Sequence, residues 1–99
     1  MKGFSIEHVI DSVIKFIKLQ ETSTVSMDHI ANFISTVMDE MKLLNNCSSP
    51  GWHEYTKAIH PQLEDLKDPD LSPQDRLTQT RKVLEMFQTL KGNSHCIKG

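Results

Sequence analysis

Five histidines and two cysteines are the side chains in this 99-residue chain best suited to holding a metal or acting as nucleophiles. Cys47 lies shortly before His53, and His95 is next to Cys96. Two thiolates and two imidazoles satisfy the tetrahedral preference of zinc, so Cys47, His53, His95 and Cys96 form the candidate metal set. The spacing matches no zinc finger or ribbon, and no CxxC pair exists. The simpler reading is surface histidines and free thiols with no metal and no cofactor. A Cys47–Cys96 disulfide is sterically conceivable but disfavoured in a reducing compartment.

Catalysis has a weaker basis. A nucleophile needs a base and an orienting partner within hydrogen-bond reach, and Cys47, His53 and Glu54 do not form such a trio by spacing. The acids Asp39, Glu40, Glu64, Asp65 and Glu85 read as solvated helix faces. No glycine-rich phosphate loop is present. The expectation is a protein that is not an enzyme.

Charge narrows the partners further. Eleven Lys and Arg stand against thirteen Asp and Glu, a net charge of -2 with no basic run. Nucleic-acid affinity comes mainly from cations displacing counterions along phosphates, and that footprint is missing. Residues 26–44 superficially resemble a DNA-reading helix, but Lys42 and His29 are the only basic residues there. Glu7, Asp11, Lys15 and Lys18 interrupt the first apolar stretch, which argues against a signal peptide or a spanning helix. These features predict a soluble, cytoplasmic protein that binds neither nucleic acid nor membrane.

Whatever chemistry exists must be positioned by helices. Hydrophobic residues make up 37% and charged residues 24%, which fits a folded chain whose core is small. Four glycines and four prolines are too few to punctuate a β-sandwich, which turns every 8–12 residues or so. The length suits one domain, expected over residues 1–92 with a mobile tail at 93–99.

Ser5 precedes Ile6, Val9, Ile10, Val13, Ile14 and Ile17, which recur on one helical face, so a first helix is predicted over 6–20. Met27, Ile30, Ile34, Val37, Met41 and Leu44 are spaced 3, 4, 3, 4, 3, the seam of a bundle, and predict a second helix over 27–45. Ile30, Ile34, Val37 and Met41 are therefore the expected core. Ser26, Ser49 and Ser72 are placed as N-caps, the last two followed by Pro50 and Pro73 at the first helical position. A third helix is predicted over 50–66 and a fourth over 73–91, the fourth stopped by Gly92. Pro61 removes a hydrogen bond and steers His60 away from helical dihedrals, so the third helix is expected to be kinked or broken at His60–Pro61.

Four helices with short connections predict an all-α, up-down bundle. In that topology His8, Cys47, His53, His95 and Cys96 belong to one end. The stripes of the first two helices are broader than a single seam, because Phe16, Leu19, Phe33 and Met38 lie beside it. A chain this small is not expected to bury both, and the surplus suggests a binding face.

Ile10, Phe16 and Phe33, with the single Trp52 and the single Tyr55, are the candidate partner-binding residues. Core packing is the simpler account of the last two; an exposed anchor pair is the functional one. The expected function is a small protein-binding module: an adaptor, regulator, immunity-type inhibitor or secretion chaperone. Its partner is another protein, or a second copy in a homodimer. The alternatives are a metal-binding or redox protein using the Cys and His set, and then a DNA-associated regulator.

Overall fold

The apolar periodicities become four helices. The computed structural model describes residues 6–44 and 50–93, and among these the chain forms α1 (Ile6–Thr22), α2 (Met27–Leu44), α3 (Pro50–Asp65) and α4 (Pro73–Asn93), with no strand. Side chains are described for these helices except at residues 43, 44, 50–53, 55, 92 and 93.

Local chemistry explains most of the ends. Ser26 Oγ accepts from the His29 N–H at 3.2 Å, and Ser72 Oγ accepts from the Asp75 N–H at 3.1 Å, so both serines cap as their positions imply. Ser49 lies outside the described residues. The hydroxyl-rich segment after Gln20 implies an end of α1 there, yet α1 runs on to Thr22. Thr22 Oγ1 donates to the carbonyl of Lys18 at 3.0 Å, and Ser23 Oγ donates to Leu19 at 3.2 Å. The hydroxyls bond back onto carbonyls of the last turn, where Leu19 also accepts from the Ser23 N–H at 3.0 Å, and do not break it.

Two stop signals leave their helices continuous. α3 is unbroken through His60 and Pro61. Pro61 is exposed, and so is Lys57 one turn before it, whose carbonyl loses its partner. The lost bond lies on an exposed face, where its cost is smallest, and the helix continues through it. Gly92 does not end α4 either. It stays helical, and no described glycine has a positive φ. Of the tail expected at 93–99, Asn93 belongs to α4 and residues 94–99 lie outside the described residues.

The helices form a ring in chain order, each packed on its sequence neighbours and α4 closing on α1. Among the described residues the diagonal pairs α1–α3 and α2–α4 do not approach. Glu7 at the start of α1 pairs with Lys91 near the end of α4 at 3.0 Å, while Glu21 pairs with Arg81 at 2.7 Å. Gln79 donates to Gln62 at 3.2 Å between α4 and α3. The bundle is therefore up-down-up-down.

Ile6, Val9, Ile10, Val13, Phe16 and Ile17 of α1 are all buried. The apolar surplus expected on this helix is absent, because α1 packs against both α2 and α4 and each covers one side of its broad stripe. Ile30, Ile34, Val37 and Met41 of α2 are buried, as their spacing requires. In α4 the buried positions are Arg76, Thr80, Val83, Phe87 and Leu90, a 4, 3, 4, 3 seam whose first two members are polar. Apolar periodicity passes over those two.

Arg76 is only 8% exposed and binds backbone carbonyls. Its Nε donates to Leu66 at 3.1 Å, and its Nη2 donates to Asp68 at 3.0 Å and Leu71 at 3.2 Å. The cation thus sits at the negative end of α3 and organises the turn into α4. Thr80, fully buried, donates to the Arg76 carbonyl at 2.8 Å and accepts from Gln20 Nε2 at 3.0 Å.

Candidate functional site

The least extensive helix contact among the described residues is that between α2 and α3. A groove of about 380 Å³ opens there, lined by Met38, Met41 and Lys42 from α2 and by Thr56, Lys57 and His60 from α3. Met41 is buried in the floor and Met38 is half-buried beside it, while Lys42, Lys57 and His60 are exposed on the rim. The groove arises because Ile59 and Leu63 turn into the core. That leaves Thr56, Lys57 and His60, too polar to close over the methionines, on the flank of α3 that meets α2.

Two further depressions belong to the packing of the bundle. One of about 420 Å³ lies at the α1–α2 connection and reaches Pro73 and Arg76. Its one guanidinium already serves the α3–α4 turn. The other, about 290 Å³, lies between α1 and α2 along Phe16 and Phe33. Those two rings stack with centroids 4.0 Å apart and planes 7° from parallel, and they hold the two helices together.

Of the residues singled out for partner binding, Ile10 and Phe16 are therefore core, and Phe33 is half-buried against Phe16. Trp52 and Tyr55 belong to α3, but their side chains, like that of His53, are not among those described. Cys47, His95 and Cys96 lie outside the described residues. Among the described residues no three His, Cys, Asp or Glu side chains come together as a metal site. No described helix is long and apolar enough to cross a membrane.

Glu40 departs from its reading as a solvated acid. It is half-buried and faces α1, with Oε1 shielded and without a hydrogen-bond partner, while Oε2 is 3.4 Å from Ser12 Oγ. The Ser12 hydroxyl has a better acceptor in the His8 carbonyl at 3.0 Å, and one hydrogen cannot serve both well. Burial raises the Glu40 carboxyl above its ordinary 4.5, against the weaker opposing pull of Ser12 and His8. Glu64, by contrast, is surface chemistry, paired with Lys67 at 3.0 Å.

No family model, curated protein or solved structure matches this chain. Function must therefore be read from the side chains themselves. The groove escapes a reading of the sequence because Met38 looks like stripe-widening core. The available signal is the polar run of Thr56, Lys57 and His60 at helical spacing along one flank of α3.

Proposed function

We propose that this protein is a protein-binding module, of adaptor or regulator type, that receives part of another protein in the groove between α2 and α3. One observation carries the reading. Half-buried Met38 and buried Met41 line an opening to solvent whose rim carries Lys42, Lys57 and His60. Methionine is unbranched and polarisable, so a methionine-lined groove adapts to an incoming apolar side chain. A few such anchors in a desolvated pocket supply most of the energy of a typical interface. The binding face thus moves from the α1 stripe, which the fold consumes, to the flank of α2.

Site-specific photo-crosslinking in the native host tests this. A photoreactive residue in place of Lys57 should yield a defined adduct with another protein, and the same residue in place of exposed Lys18 on α1 should not. Equal adduct patterns from both positions would remove the groove as the binding face. Adducts only with a second copy of the chain would replace a foreign partner with self-association.

A further inference from the structure

We propose that the occupant of the α2–α3 groove is an amphipathic helix of the partner protein, apolar along one ridge and acidic beside it; this rests on the protein-binding reading above. Charge is the first reason. Acids outnumber bases in the chain as a whole, yet none of the six described residues lining the groove is acidic. Lys42 reaches the rim from one wall, and Lys57 and His60 from the other. Of the other exposed cations, Lys67 pairs with Glu64, Arg81 with Glu21 and Lys91 with Glu7, while Lys15, Lys18 and Lys82 enter no ion pair among the described residues. Lys42 and Lys57 are likewise unpaired among the described residues, and what sets them apart is that they flank one methionine-lined opening from opposite walls. Carboxylates flanking an apolar anchor would meet a complementary potential on both sides.

Geometry is the second reason. The described chain is helical between its connections and offers no sheet edge, so strand addition has no template. The lining positions 38–42 and 56–60 each cover about one helical turn, roughly 6 Å along the axis. That length receives one or two apolar side chains spaced i and i+3 or i+4, the way one helix presents a ridge to a groove between two others. A second copy of this chain is a poor occupant. Met27 is the single exposed large apolar side chain it offers among the described residues, and one methionine makes no ridge.

The test uses designed helical peptides of about 15 residues, long enough to hold a helix once docked. All carry the same leucine ridge, flanked by Glu, Gln or Lys, and are titrated into full-length protein with 13C-methyl methionine. The Met38 and Met41 methyl signals should shift with the Glu-flanked peptide and less with the Gln-flanked one, with the Lys-flanked peptide weakest. Affinity for the Glu-flanked peptide should fall with added salt. The exposed double variant Lys42→Glu/Lys57→Glu, with helicity checked by circular dichroism, should weaken that peptide about tenfold or more and favour the Lys-flanked one.

Equal binding of all three peptides would overturn the acidic class. Decanoate shifting both methyl signals where no peptide does would overturn it in favour of a small amphipathic anion. If no peptide shifts the methionines while the crosslink at position 57 still traps a protein, the acidic-helix inference falls and the binding module stands. If the crosslink fails as well, both fall.

Discussion

The seam between α1 and α4 and the seam between α2 and α3 are both built from helices of ordinary length, yet one is closed and the other is open. Along the first, α1 buries apolar side chains from Ile6 to Ile17 and α4 buries Val83, Phe87 and Leu90, with the hydrogen-bonded Arg76 and Thr80 completing the seam. The edges are tied by Glu7–Lys91, Gln20–Thr80 and Glu21–Arg81. Along the second, Ile59 and Leu63 serve the core, and a half-buried methionine borders an opening rimmed by lysines. On the proposed reading, stability and binding capacity occupy opposite sides of the ring. A surface that must stay available for a partner cannot also be closed by the chain's own side chains.

The sharpest way to break that contrast is to empty each seam in turn. Phe87 is fully buried on the closed side, and Phe87→Ala should cost about 3–5 kcal/mol in denaturant melts. Met38→Ala on the open side should cost about 1 kcal/mol or less, because water already reaches that side chain. Equal losses would show that the two seams do not differ in packing.

A second comparison concerns polar groups inside the closed half. Arg76→Ala should cost about 2–3 kcal/mol, since it removes a charged donor shared by the Leu66, Asp68 and Leu71 carbonyls. Arg76→Lys should recover only part of this, because an ammonium lacks the planar fork that reaches several acceptors at once. Full rescue by lysine would mean that the charge matters and the fork does not. Thr80→Val keeps the shape but loses the bonds to Gln20 and to the Arg76 carbonyl, for about 1 kcal/mol.

The smallest effect expected is pH-dependent and lies between α1 and α2. The folded state holds the Glu40 proton more tightly than the unfolded chain, so its contribution is most favourable below 4.5 and declines as pH rises through the raised folded value. Glu40→Gln should therefore be nearly neutral in acid and mildly stabilising at pH 7, by less than about 1 kcal/mol given the remaining exposure of the side chain. Melts of the two proteins at both pH values check this. A glutamine variant less stable at pH 7 than the native protein would show that the ionised carboxylate is favoured in place.

Much of this architecture is legible in the one-dimensional pattern. The 3, 4, 3, 4 spacing of α2 names its buried face because side chains at those intervals share one side of a 3.6-residue turn whatever they pack against. Ser26 and Ser72 name two helix starts because capping is a bond within a few residues of chain. The topology follows from short connections. Whether Pro61 breaks α3 or only interrupts its hydrogen bonding depends on whether the backbone it disturbs faces water, and that is decided by packing.

Tertiary structure alone decided the rest. Arg76 and Thr80 are charged or polar and carry no apolar signal in the sequence. They are buried because an end of α3 and a glutamine of α1 converge on them across the fold, supplying the partners that make burial tolerable. Glu40 looks no different in sequence from Asp39, and only the approach of α1 shields one of its oxygens. The groove, too, is a property of two helices and not of either one. Periodicity tells which side of a helix is apolar, whereas whether that side is covered depends on how many neighbours reach it: α1 has two that do, and on the flank of α2 beside Met38 the facing side chains of α3 are too polar to close the gap.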